Sequence, residues 1–434
     1  MGDIILITID SLRRDHTSCY GYNRETTPNI DALADDSALF ENAFSHAGST
    51  RHSFPSILTS TYAPMYGGSN SIDNRLLISE LLDDIGYATA GFHSNPFLNY
   101  GYSDGFDRFV DPKDNPSKFS KLRQFVQRRL SHEGVPYRAI KYVYKNVEKA
   151  VGGEVGSAYV NAEDITDIAI DWIDDTDSED RFLWVHYMDP HHPYVPPGDF
   201  QDYFLDTRIS ERESLRMRKK MLDNPAEVTQ NELDKLKSLY DAETRYTDHH
   251  VGRLLDHLDS DGDISLVTVT SDHGEEFREH GRFSHGTWYE ECISVPLIVN
   301  RKGQSGKQRA DLTGLIDLPP TIAGAAEAEI PEEYLGSDLI NREAQRDYLL
   351  GGWKGNNEEI MFCRTGDTKG VVRNGERLLF DVEQGSDKQV DTEFPSEIEE
   401  GLSIFSSYMD GPVSHQDEID DSAQNRLKNL GYLE

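Results

Sequence analysis

The chain is poor in what a disulfide scaffold, a membrane protein or a nucleic-acid binder needs. Only three cysteines occur in 434 residues, Cys19, Cys292 and Cys363, widely separated and without a C-x-x-C pair, which excludes a disulfide framework. No apolar run approaches the roughly 20 residues that cross a bilayer, so no integral membrane association is expected. Positive charge is scarce: 43 Lys and Arg stand against 78 Asp and Glu, a formal net charge of -35. Such a balance repels polyanions at long range and argues against nucleic acid or anionic membrane as a partner. The acid is spread along the chain and Arg outnumbers Lys, the pattern of a halophilic surface whose self-repulsion concentrated salt would screen. Internal repeats are missing too. The opening MGDIILITID enters a strand with no basic region ahead of it, which predicts a cytoplasmic protein.

What is present is concentrated at strand ends. In Ile264 to Gly286, ISLVTVTSDHGEEFREHGRFSHG, a β-branched run reads as a central parallel strand that stops at Asp272 and His273. Open α/β folds place their ligands at this carboxyl edge of the sheet. A carboxylate followed by an imidazole offers one divalent ion a hard oxygen and a borderline nitrogen. Residues Asp3 to Ile9 form a second such run, ending in Asp10, so Asp10 and Asp272 are candidates for one site. Thr27-Pro28 is a helix start, with Thr27 as N-cap and Ile30, Leu33 and Ala34 as the buried stripe. Phe40 to Ala43 reads as a short strand leading to Gly48. After about Gly324 the texture changes, and Asp347 to Val382 alternates short apolar runs with Gly and Asn turns, as hairpins do. The expectation is an α/β catalytic domain over residues 1–330, a mostly parallel mixed sheet flanked by helices, and a smaller C-terminal α+β subdomain over 331–434. The acidic segment Asp381 to Asp421, poor in hydrophobics, is expected to be partly disordered or solvated.

The order of several fragments resembles the sulfatase family within the alkaline phosphatase superfamily. They are Asp10 with LRRDHTSCYGY, TPNIDALA, F-x-N-A-F, GYATAGFHSNPFL at Gly86 to Leu98, and GFDRF at Gly105 to Phe109. VHYMDPHHPYVPP at Val185 to Pro197, YTDHHVGRLLDHL at Tyr246 to Leu258, SDHGEE, SHGTWYEECISVPLIV, LIDLPPTIAG and RLKNLGYL follow. Two stretches near 111–157 and 203–236 do not match and read as insertions, either covering the pocket or presenting solvated helical faces.

The resemblance implies attack by an activated nucleophile on sulfur or phosphorus beside a divalent cation. Family members of the sulfatase type carry C/S-x-P-x-R, whose first residue is oxidised to formylglycine. Counting back from Leu58-Thr59-Ser60 places Thr50 in the nucleophile slot, with His52 and Phe54 where Pro and Arg would stand. A rival register puts Ser53 first but has Ile57 in place of Arg, so formylglycine is not expected in either. The resemblance then implies Asp10, Asp272, His273 and Thr50 as metal ligands, three oxygens and one nitrogen suited to Ca2+, Mg2+ or Mn2+, with Zn2+ as an alternative. Ser11 stands where family members often carry a second acid. His191 falls on the Pro-His-x-Pro histidine that contacts the ester oxygen, and His285 takes the place of a group beside the leaving oxygen. Arg51 and Asn95 are expected to donate to the anionic ester, while Asp189 and His192 could hold a second ion with His285. The implied activity is hydrolysis of a sulfate or phosphate ester; phosphotransfer or phosphodiester cleavage on a polyol, glycan or lipid head group, and an inactive anion-binding relative, are the alternatives.

Overall fold

The computed structural model describes residues 2–67, 72, 74–110, 159–178, 180–304, 306–341, 346–355, 358–383 and 385–409; the insertion expected near 111–157 and the closing RLKNLGYL lie outside them. Ten strands precede residue 315: β1 (Asp3–Ile9), β2 (Ala38–Phe44), β3 (Ala88–Phe92), β4 (Arg108–Val110), β5 (Arg181–Tyr187), β6 (Ile264–Ser271), the short pair β7 (Glu276–Phe277) and β8 (Phe283–Ser284), β9 (Leu297–Arg301) and β10 (Lys307–Gly314). Eight of them form one sheet in the order β10-β2-β9-β6-β1-β5-β3-β4, in which β9 alone runs against its neighbours. β1 lies at the centre, parallel to β5 and β6, with Ile9 beside both Tyr187 and Ser271.

The continuous apolar run of β1 follows from this position, since both faces of the strand are covered. Ile5, Ile7 and Ile9 point to one side, against Ile165, Ala169, Trp172 and Ile173 of α4 (Ala162–Asp175) and Val251, Leu254 and Leu258 of α6 (Gln230–Asp261). Ile4 and Leu6 point to the other, against the helices α2 (Thr50–Thr59), α3 (Ile78–Asp84) and α7 (Leu318–Ala325). Each fully buried aliphatic side chain contributes about 1.5–3 kcal/mol relative to exposure, so β1 cannot be lost without the sheet. The first helix, α1 (Pro28–Asp35), has Thr27 at its N-cap position as expected, yet no side-chain cap forms. The Thr27 hydroxyl instead donates to Asp31 Oδ1 at 2.9 Å.

The stretch 203–236 is not simply solvated. Met217 and Met221 of α5 (Glu211–Asp223), with Leu233, Leu236 and Tyr240 of α6, bury against Tyr194, Phe277 and Phe283, so these helices brace the β7–β8 hairpin. Beyond α7, β11 (Leu349–Lys354), β12 (Glu359–Arg364), β13 (Thr368–Arg373), β14 (Glu376–Glu383) and β15 (Ser386–Val390) make an antiparallel meander. One face joins Phe44 at the end of β2, with Trp288 and Ile293 after β8, through Leu349, Trp353, Ile360 and Phe362. The other is covered by α8 (Ser396–Met409). Within the acidic stretch Asp381 to Asp421, the described residues thus include β15 and α8, while 410–421 lie outside them. Ile398, Leu402, Phe405 and Met409 recur at helical spacing and supply a buried stripe that the surrounding acid obscures.

Candidate active site

Five parallel strand ends deliver the candidate residues to one edge of the sheet. Asp10 follows β1, Thr50 opens the helix reached from β2, Asn95 follows β3, His191 follows β5, and Asp272 with His273 follow β6. All six are buried. His285 comes from the turn after β8, where Ser284 and Gly286 both take positive φ, and its side chain is nearly buried.

Asp10, Asp272 and His273 bring one ligand atom each within 4.8 Å of one another. The hydroxyl of Thr50 lies 3.3 Å from Asp10 Oδ2 and 3.2 Å from His273 Nε2. Thr50 is the first residue of α2, whose N-cap is Ser49, so its hydroxyl sits at the positive end of a helix dipole without serving as the cap. Ser53, the rival, lies one turn further in and donates back to the Thr50 carbonyl at 3.2 Å. Ser11 adopts φ 59, a left-handed conformation held by the Tyr240 hydroxyl, which donates to the Ser11 carbonyl at 2.8 Å and accepts from Arg13 N at 2.8 Å. From there the Ser11 hydroxyl donates to Asp10 Oδ1 at 2.8 Å and its backbone N–H faces Asp272 Oδ1 at 3.4 Å. A serine in this place thus braces the two carboxylates instead of adding a third.

Burial and neighbouring charge set the two carboxylates apart. Burial works against the charge of Asp10, but His191, His186 and His273 around it hold its carboxyl well below the usual range. Burial and then the charge of Asp10 raise Asp272, against the pull of His273. Asp272 Oδ2 is buried without a hydrogen-bond partner. His273 Nδ1 lies 2.8 Å from the Gly274 carbonyl, which can only accept, so the neutral ring carries its proton there and presents a lone pair at Nε2. Two carboxylates, an unprotonated imidazole nitrogen and a hydroxyl fit one divalent cation.

The remaining candidates separate. Asn95 donates to Asp10 Oδ2 at 3.4 Å while its own carbonyl accepts from Phe97 N at 3.1 Å. Arg51 is partly buried, its guanidinium 5.5 Å from the Phe97 ring centroid. His191 Nδ1 lies 2.6 Å from the His192 carbonyl, so neutral His191 offers Nε2 as an acceptor, whereas contact with an ester oxygen calls for a donor. Burial pushes its pKa down to about 3, which keeps it neutral. His191, His192 and His285 gather their ring nitrogens within 4.8 Å. Asp189 is not in that group; it lies near Glu243, and burial raises both carboxyls, Asp189 to about 7. Arg218 of α5 donates from Nε to His192 Nδ1 at 3.2 Å, which places a cation where a second metal would have to compete.

Glu275 is the most conspicuous residue that sequence reasoning missed. It is fully buried, neither carboxyl oxygen has a hydrogen-bond partner, and burial pushes its pKa up to about 8. Its Oε2 is 3.8 Å from His285 Nδ1. Nothing in the local pattern of SDHGEE distinguishes this inward acid from a solvated one.

The sulfatase family profile matches residues 3–328. The chain belongs to the sulfatase family. With that family it falls in the alkaline phosphatase superfamily, and it is an enzyme of the sulfuric and phosphoric ester hydrolase class. The chain is similar to the arylsulfatase of Clostridium perfringens, 25% identical over 425 residues that cover 88% of each chain. Its fold is similar to that of the phosphonate monoester hydrolase of Agrobacterium radiobacter, with TM-score 0.68, 19% identity and coverage of 89% of this chain and 90% of that one. BT4656, solved with its substrate D-glucosamine-2-N,6-O-disulfate, matches at TM-score 0.65 and 19% identity over 99% and 98% of the two chains. Among the described residues no helix is long and apolar enough to cross a membrane.

Proposed function

We propose that this sulfatase-family chain cleaves a sulfate or phosphate ester through Thr50, with a single divalent cation held by Asp10, Asp272, His273 and the Thr50 oxygen. The observation that carries this reading is the position of the Thr50 hydroxyl, within 3.3 Å of both Asp10 and His273 at the start of a helix. The cation, of the Ca2+, Mg2+ or Mn2+ kind, would lower the pKa of the hydroxyl and neutralise charge on the ester oxygens. The phosphonate monoester hydrolase fold and the nucleophilic Thr both favour a phosphorus ester, while the curated relatives, arylsulfatase among them, favour sulfate.

In the proposed sequence, Thr50 Oγ, its proton released to solvent, bonds to phosphorus or sulfur as the ester oxygen departs on the opposite side. His285 gives a ring proton to the departing alkoxide and is resupplied at Nδ1 by the carboxyl proton of Glu275, so the ring stays neutral across the step. Water then attacks the threonine ester, its proton returns through His285 to Glu275, and Thr50 recovers its own from solvent. His191, an acceptor at Nε2, holds the alcohol or the incoming water. Arg51 donates to the anionic oxygens.

The test compares two alanine variants in one assay with phosphate and sulfate monoesters. Thr50→Ala loses turnover on the order of 10^3-fold or more, because the covalent step is removed. Ser53→Ala loses one back-bond worth about 1 kcal/mol of stability and keeps most activity. Peptide mass spectrometry of protein quenched during turnover finds added phosphoryl or sulfuryl mass at Thr50. An inactive Ser53→Ala beside an active Thr50→Ala would refute the nucleophile assignment.

A further inference from the structure

We infer that His186 is a positioning residue for Asp10, its ring proton directed at the carboxylate by Trp184 and Thr8 behind it. His186 lies on β5, fully buried, one strand away from Asp10. Its Nε2 has no hydrogen-bond partner and stands 3.6 Å from Asp10 Oδ2. On the other side of the ring, Nδ1 is 2.9 Å from Thr8 Oγ1, the residue paired with His186 in the sheet register.

Counting donors fixes the tautomer. Trp184 Nε1 is 3.0 Å from Thr8 Oγ1, and an indole N–H can only donate, so the Thr8 oxygen accepts there and has one proton left to give. Two acceptors compete for that proton: His186 Nδ1 at 2.9 Å and the Val185 carbonyl at 3.5 Å, the nearer being the imidazole. Nδ1 therefore accepts, and a neutral ring must carry its hydrogen on Nε2, toward Asp10. The ring is fixed in place by Phe54, which meets it edge-on at 5.1 Å between centroids.

A donor directed at a metal-ligating carboxylate governs how that carboxylate faces its ion. Asp10 Oδ1 already receives the Ser11 hydroxyl, and Oδ2 faces Thr50, Asn95 and His186. A neutral donor at this oxygen stabilises the charged carboxylate without adding a positive charge that would repel the cation. At 3.6 Å the contact is longer than a hydrogen bond, so it guides the carboxylate without being locked to it.

The inference rests on Asp10 being a cation ligand, and the experiment separates the two. Mn2+ binding to the full chain is measured by titration calorimetry for wild type, Asp10→Ala, His186→Phe, His186→Gln and Thr8→Val, with thermal melts of the cation-free proteins alongside. His186→Phe keeps the bulk and loses the donor, and weakens Mn2+ by roughly 10–100-fold. His186→Gln, which restores an N–H near the Nε2 position, recovers most of the affinity. Thr8→Val, isosteric and without the hydroxyl, weakens binding in the same direction by a smaller factor. Wild-type affinity in His186→Phe, or a folded His186→Gln as weak as His186→Phe, overturns the positioning role; so does a Thr8→Val indistinguishable from wild type. Asp10→Ala binding Mn2+ as tightly as wild type overturns the cation reading itself.

Discussion

Asp189 and Glu243 show how burial, more than any neighbour, can tune a single residue. Burial raises Asp189 to about 7, and burial followed by the neighbouring Asp189 raises Glu243 as well. A carboxyl whose folded pKa lies above its unfolded value keeps a proton that the unfolded chain releases. Its contribution to stability is complete below the unfolded value and is lost as pH rises through the folded one. The metal-free protein should therefore melt at progressively lower temperature as pH is raised from about 4 to 7. Asp189→Asn, neutral at every pH, should flatten that slope. An unchanged slope in the variant would mean that Asp189 is ionised in the folded chain.

At the scale of elements, the decisive contact is between the turn into α2 and the loop that follows β8. A Cβ built on Gly48 would lie 2.1 Å from the Thr287 carbonyl oxygen, and Gly286 N donates to the Gly48 carbonyl at 2.6 Å. Thr50 and His285 are thus set by two segments packed backbone to backbone. Gly48→Ala should force them apart, costing about 1–3 kcal/mol of stability as an overpacked site does, and a larger factor in kcat than in KM. A variant with wild-type melting temperature and kcat would show that the loop moves freely. Much of this architecture could be read in the sequence. The β-branched runs ending in Asp10 and Asp272 announced two buried strands with a carboxylate at each tip, because only a strand covered on both faces is apolar throughout. Other parts were hidden for physical reasons. The apolar stripe of α8 is masked by acid on its outer face, and Met217 and Met221 of α5 sit among charges. His186 is one imidazole in a strand of aromatic and aliphatic residues, and its meaning depends on Thr8, which the sheet brings beside it from far along the chain.

For the molecule as a whole, charge is the dominant feature. A formal net charge of -35 on 434 residues makes the folded surface self-repulsive, and exposed ion pairs such as Arg208 with Asp199 and Asp202 do little against it. Screening matters more: the Debye length falls from about 10 Å at 0.1 M to about 3 Å at 1 M salt. The melting temperature should climb by several degrees between 0.05 and 2 M KCl, with most of the gain below 1 M. A flat profile would remove the salt-adapted reading of the composition.

The central place of β1 also has a consequence for biosynthesis. This strand is made before either of its partners: β5 is translated long after it, and β6 later still. At about 5–20 residues per second, the segment Asp3–Ile9 spends many seconds with neither neighbour available. Throughout that interval an apolar ribbon with both edges open is free to pair with another nascent chain, until Arg181–Tyr187 emerges to cover one edge, and the second stays open until Ile264–Ser271 follows.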